Sequence, residues 1–136
     1  MSKKKDEEED IAKLIEDPAQ FAKISGNDYE KDMLHVVEIF CTWCGPSDAV
    51  KSTYKRLAVE LKGRKVKFYK MDAKLVPGFE KQALTSKPFF AIYKDGEIIE
   101  QVEGINTPLL EKFIGDTIPE GILEIEEEPA EGDEDD

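Results

Sequence analysis

The sequence predicts an α/β domain built as a mixed sheet with helices on both faces. Three observations carry that expectation. Short runs rich in β-branched residues alternate with segments of helical spacing, an Asp95-Gly96 pair joins two strand-like runs, and a Thr-Pro start opens a closing helix. At 136 residues the chain has the length of one domain with a self-sufficient core.

Each element follows from local pattern. Residues 1–10, "MSKKKDEEED", form a charged head expected to be flexible. From Ile11 to Ile24, the spacing of Ile11, Leu14 and Ile15 predicts a helical start, interrupted at Asp17-Pro18. A second short helix then carries Phe21, Ala22 and Ile24 up to Ser25-Gly26. "LHVVEIF", Leu34 to Phe40, reads as a buried strand. Val50, Tyr54, Leu57, Ala58 and Leu61 recur at three and four residues, which predicts an amphipathic helix from Pro46 to Lys62, closed by Gly63.

"KVKFYKMD", Lys65 to Asp72, is the next strand. Val76 to Thr85 is expected as a short helix with Phe79, Ala83 and Leu84 on its apolar side. "PFFAIYKDGEIIEQVEG" gives a hairpin turning at Asp95-Gly96. In "TPLLEKFIGDTI", Thr107 is expected as N-cap and Pro108 in the first turn, with Leu109, Leu110, Phe113 and Ile114 inward. The order is thus α-β-α-β-α-β-β-α, with the early strands parallel. Residues 11–118 make the domain, and residues 119–136 an acidic tail expected to be disordered.

Charge narrows the function classes. The net charge is −12, but Glu124 to Asp136 holds nine acids and no base, and the head nets −2. That leaves −1 on residues 11–123, so the folded part is nearly neutral. An acidic chain repels nucleic acid and anionic membrane, and neither is expected as a partner. No apolar run reaches a membrane span, and the first residues lack the apolar core of a signal peptide. Two cysteines without an export signal point to a reducing compartment. Two cysteines with the single His35 do not make a four-ligand zinc site, and no glycine-rich phosphate loop is present. No metal or cofactor is expected, and His35 reads as a strand-end residue.

The chemistry concentrates in "EIFCTWCGPSDAV", residues 38–50. With a helix beginning after Gly45, its free N–H groups and positive end point at Cys44 and would stabilise a thiolate there. Cys41 ends the strand. Residues three apart in extended chain lie about 10 Å apart, beyond disulfide reach, although a turn at Trp43 shortens this. On that reading the C-T-W-C spacing is a coincidence, and Cys44 is the candidate reactive thiol.

Here the chain resembles a known family. "WCGPS" at a strand-to-helix junction is similar to the thioredoxin motif W-C-G-P-C, with Ser47 in place of the second cysteine. The resemblance covers Ile11 to Ile118 and makes the expected fold thioredoxin-like. It includes "SKPFF", similar to the family's cis-proline loop, and so implies a cis Lys87–Pro88 bond facing Cys44. It also includes the "KDGE" hairpin and Gly104. The segment "EGINTPLLEKFI" resembles the thioredoxin-like light chains of ciliary outer-arm dynein and their relatives with nucleoside-diphosphate-kinase domains.

The resemblance implies a non-catalytic binding subunit of the axonemal outer-arm dynein motor, placed in the cytoplasm and the cilium axoneme. Its partner would be the dynein heavy-chain tail or another motor subunit, held through Trp43, Gly45, Pro46, Lys87 and Pro88 or through the flanking helices. A dithiol enzyme needs a second sulfur to resolve its mixed disulfide, and the Ser47 hydroxyl is no such group. The alternative is a monothiol oxidoreductase acting through Cys44. Glu38 stands where thioredoxins bury an acid, and Phe68 aligns with the lysine usually beside it. Glu38 reads alternatively as a partly exposed strand residue paired with a lysine. Lys87 reads either as a partner to a Cys44 thiolate or a client carboxylate, or as a solvated surface lysine.

Overall fold

The computed structural model describes residues 11–123. The chain runs through β1 (Ala12–Ile15), α1 (Pro18–Phe21), β2 (Leu34–Phe40), α2 (Asp48–Glu60) and β3 (Val66–Asp72). A 3-10 turn (Gln82–Leu84), β4 (Phe89–Lys94), β5 (Glu97–Glu103) and α3 (Thr107–Thr117) complete it. The five strands form one sheet in the order β1-β3-β2-β4-β5. β1 and β2 lie parallel to β3, while β4 is antiparallel to β2 and β5 to β4. The expected mixed sheet with a carboxy-terminal hairpin and helix is therefore present.

Side chains alternate across β2, the central strand. Leu34 and Val36 face a core with Phe68, Phe90 and Ile92, closed by Val50, Tyr54 and Leu57 of α2 and by Leu110 and Ile114 of α3. Val37 and Ile39 face the opposite core, with Ile24, Met71, Phe79, Phe89 and Tyr93. Each large apolar side chain buried this way contributes about 1.5–3 kcal/mol, so the two-sided core fixes the register of β2 strongly. The Tyr54 hydroxyl donates to the Tyr69 carbonyl at 2.9 Å, which seats α2 on the sheet.

Four local expectations are corrected. First, Ala12–Ile15 is an edge strand, not a helix. Asp17 and Gln20 form a capping box that starts α1 at Pro18, and the four residues before it add to β3 with Ile15 buried. The spacing of Ile11, Leu14 and Ile15 suits a helix, but four residues do not distinguish the two periods.

Second, α2 begins at Asp48 and not at Pro46, because Ser47 is its N-cap and its hydroxyl accepts from the Ala49 N–H at 3.2 Å. Third, Val76–Thr85 holds only a 3-10 turn. Pro77 offers no N–H, and Gly78 has a φ of 110°, so no helix propagates through them. Phe79 and Ala83 are still buried, whereas Leu84 is exposed. Fourth, Asn106 caps α3, accepting from the Leu109 N–H at 3.2 Å, and Thr107 lies inside the helix.

The Asp95-Gly96 hairpin turns as expected, with φ of 55° and 83°, the pair of positive values a two-residue primed turn needs. Of the tail expected from residue 119, residues 119–123 are described: Pro119 is buried, and the Leu123 N–H donates to the Gly63 carbonyl at 2.7 Å. Residues 1–10 and 124–136, which carry the expected flexible head and acidic tail, lie outside the described residues.

Candidate functional site

The site lies at the carboxyl ends of β2 and β3. Ile39 pairs with Phe89, so the residues leaving β2 emerge beside those entering β4. The chain turns at once. The N–H groups of Cys44 and Gly45 both donate to the Cys41 carbonyl, at 3.1 and 3.0 Å, and Gly45 takes a φ of 74°. Thr42 ties the turn to the sheet, its hydroxyl donating to Asp72 Oδ1 at 2.7 Å. Asp72 also accepts the Lys74 N–H at 2.9 Å.

This turn overturns the expected register. Cys41 and Cys44 form a disulfide with their Cα atoms 5.4 Å apart, so C-T-W-C is the bonded pair and Cys44 is not a lone thiol. The extended-chain separation does not apply, because the backbone folds back within the four residues. Cys41 is buried at 2 % exposure, while Cys44 is exposed and Trp43 is 69 % exposed. At the start of α2, two N–H groups are engaged by partners other than Cys44. The Ser47 N–H donates to Glu38 Oε2 at 2.9 Å, and the Ala49 N–H to the Ser47 hydroxyl.

Glu38 is buried at 2 % exposure, which replaces the reading of a partly exposed strand residue. Burial pushes its carboxyl above the usual range, opposed by the Ser47 N–H and by the charge of Lys70. Lys70, directly across from Glu38 on β3, is the lysine beside the acid; Phe68 lies one step back in the core. Lys70 and Glu38 line a cleft of about 300 Å³ with Pro46, Ser47, Lys51 and Tyr54.

The proline loop departs from expectation as well. All described peptide bonds are trans, Lys87–Pro88 included. The trans form is the lower-energy one before proline by about 0.5–1 kcal/mol, and the loop's hydrogen bonds are met in it. The Lys87 N–H donates to Thr85 Oγ1 at 3.1 Å, and the Pro88 carbonyl accepts the Gly104 N–H at 2.7 Å. Lys87 is exposed and lies 3.9 Å from Glu103, lining a second cleft apart from the one at Glu38. Pro46 and Lys87 thus belong to different clefts, although the register places their loops at the same end of the sheet.

Sequence reasoning missed Thr42, Asp72 and Lys70. The signal for Lys70 was strand parity: Phe68 and Lys70 face the same side as Glu38, and counting across the parallel pair selects Lys70. Among the described residues, no group of three or more His, Cys, Asp or Glu side chains is placed to hold a metal. His35 is buried within β2, its Nε2 3.2 Å from Glu30 Oε1, and its Nδ1 has no partner.

The thioredoxin family profile matches residues 12–116. The chain is 38 % identical over 81 residues to the 14 kDa light chain of the flagellar outer-arm dynein of Chlamydomonas reinhardtii, covering 60 % of this chain and 63 % of that one. To the 16 kDa light chain of the same arm it is 28 % identical over 122 residues, covering 82 % of this chain and 78 % of the relative. Among solved structures, mitochondrial thioredoxin 3 of Saccharomyces cerevisiae in its oxidised form superposes with a TM-score of 0.59 at 28 % identity. That match covers 81 % of this chain and 99 % of the other.

Proposed function

Because this chain belongs to the thioredoxin family, we propose that it is a non-catalytic binding subunit of that fold, a light chain of the axonemal outer-arm dynein. The observation that carries the reading is the likeness to two light chains of one flagellar outer arm, the longer match spanning 122 residues. The position of Ser47 supports it. The first turn of α2 holds no thiol, and the Ser47 hydroxyl is engaged as the helix cap. Trp43 offers a large, exposed, amphipathic anchor of the type enriched at interface hot spots. The partner is a dynein heavy-chain tail or another subunit of the motor, and the working place is the ciliary axoneme.

The experiment is retrieval from a ciliated cell. A tagged chain should be extracted from axonemes by salt and sediment with the outer-arm heavy chains at fixed stoichiometry. If it sediments alone, free of every motor subunit, the reading is wrong.

A further inference from the structure

We propose that Cys41 supplies the second sulfur that Ser47 lacks, so that Cys41 and Cys44 form a reversible thiol–disulfide couple one register toward the amino terminus. This inference leaves docking to the motor untouched, which co-sedimentation tests separately, but it revises the non-catalytic part of that reading, because a dithiol couple at this turn would turn over partner disulfides.

Three observations support it. The two sulfurs are bonded, which places them within reach in the folded chain. The backbone turn that brings them together has its own supports, the two N–H donations to the Cys41 carbonyl and the Thr42 bond to Asp72. The pair therefore stays arranged when the S–S bond opens. Exposure then divides the roles. Cys44 is open to a partner sulfur, and Cys41 at 2 % exposure is reached only from within.

A structural staple explains the bond less well. The covalent loop spans a sequence separation of three, in a turn already closed by hydrogen bonds, so it removes little freedom from the unfolded chain. In a reducing compartment, moreover, disulfides that do occur are usually transient and redox-active.

The exchange balances as follows. In the reduced chain, the Cys44 thiolate attacks one sulfur of a partner disulfide. A mixed disulfide forms, and the first partner sulfur leaves as a thiolate that takes a proton. The Cys41 thiolate, having given its proton to solvent, then attacks Cys44 Sγ. The Cys41–Cys44 bond forms and the second partner sulfur leaves. The partner disulfide is reduced to a dithiol and the chain's dithiol is oxidised. An external dithiol regenerates the reduced chain by the reverse steps. The polarity is inverted relative to W-C-G-P-C: the resolving sulfur precedes the exposed one, at the strand end, and does not follow it in the helix.

The test uses the full chain, reduced with dithiothreitol, freed of it and mixed with a disulfide-linked peptide, with intact-mass spectrometry as readout. The unmodified chain should lose two hydrogens, release both peptide halves and hold no lasting adduct. Cys41→Ser should retain one peptide half, cleared at least about 100-fold more slowly, because an outside thiol lacks the effective concentration of a positioned neighbour. Cys41→Ala serves as the second variant should serine disturb the buried site. Cys44→Ser should take up almost no peptide, and Ser47→Ala should behave like the unmodified chain. An adduct on the unmodified chain as persistent as that on both Cys41 variants would overturn the proposal, as would full-rate capture by Cys44→Ser.

Discussion

The two ends of the sheet are built on different terms. At the amino-terminal end of β2 the hairpin tip lies beside Leu34, since Leu34 pairs with Lys94. There Gly26 donates to the Gly96 carbonyl at 2.9 Å, and Glu30 pairs with Lys67 at 2.8 Å beneath buried His35. At the carboxyl end stand an exposed tryptophan, an exposed sulfur and a buried carboxyl beside an open cleft. One end closes its polar groups on one another, the buried His35 Nδ1 excepted. The other leaves apolar and reactive groups facing outward. Residues that fix the fold and residues that meet a partner should therefore separate along the strand direction, and substitutions can test that separation.

The largest stability effect should fall on the closed end. A Cβ at Gly96 would sit 2.4 Å from the Gly26 carbonyl oxygen and 2.8 Å from the Tyr29 ring, in a backbone conformation with φ of 83°. Gly96→Ala should lower the unfolding free energy by about 2–4 kcal/mol, from left-handed strain plus a clash with backbone. Urea denaturation measures it. A loss below about 1 kcal/mol would mean that the closed end yields more easily than its contacts indicate.

Next comes the helix cap. Ser47→Ala removes the acceptor for the Ala49 N–H and should cost about 1 kcal/mol by the same measurement. It should leave disulfide formation between Cys41 and Cys44 unchanged. If Ser47→Ala instead destroyed that bond, the Cys41–Cys44 turn would depend on the helix start for its geometry.

Acid titration sets the ends against each other. Burial holds the His35 imidazole below its usual pKa, opposed by Glu30. The unfolded chain then binds more protons just below pH 6.5, so stability falls as pH drops through that region toward the lowered folded value. Glu38 has the opposite sign. Its folded pKa is raised, the native state binds the extra proton, and stability recovers as pH falls from that raised value toward 4.5. Stability measured in steps from pH 7.5 to pH 4.5 should carry a drop from His35 and an opposing recovery from Glu38, each of no more than about 1.4 kcal/mol per pH unit. Glu38→Gln, which keeps an oxygen for the Ser47 N–H, should abolish the recovery and leave the drop. A drop that vanishes in Glu38→Gln would show that the two assignments are reversed.

What could be read from the sequence divides in a similar way. The central strand, α2, the hairpin and α3 were legible because each carries a long periodic pattern or an unambiguous turn pair. The edge strand Ala12–Ile15 was not, since four residues do not declare a period. The failed helix near Phe79 shows composition losing to Pro77 and Gly78, which were in plain view. At the site, Trp43, Cys44 and Ser47 were found from the motif. The motif also misled, because it fixed attention on the spacing after Cys44 and drew it away from the spacing before. Whether Cys41 can reach Cys44 depends on a turn held partly by Asp72, thirty residues away, and no local pattern carries that.

The smallest stability effect belongs to Trp43. At 69 % exposure the indole contributes little to the core, so Trp43→Ala should shift the unfolding free energy by no more than about 0.5 kcal/mol. Its position inside the Cys41–Cys44 loop, in a turn tied to β3 through Asp72, holds it outward on a rigid base. An aromatic presented this way loses little entropy on contact and can fill a partner pocket. Truncating such an anchor typically costs at least about 2 kcal/mol of binding, or about thirty-fold in affinity. Trp43→Ala should therefore reduce co-sedimentation with outer-arm heavy chains while its denaturation curve overlays that of the unmodified chain. Unchanged co-sedimentation would move the docking surface away from the carboxyl end, to the outer faces of α2 and α3. A large loss of stability would show that the indole belongs to the fold, and the two ends of the sheet would then differ less than their exposure indicates.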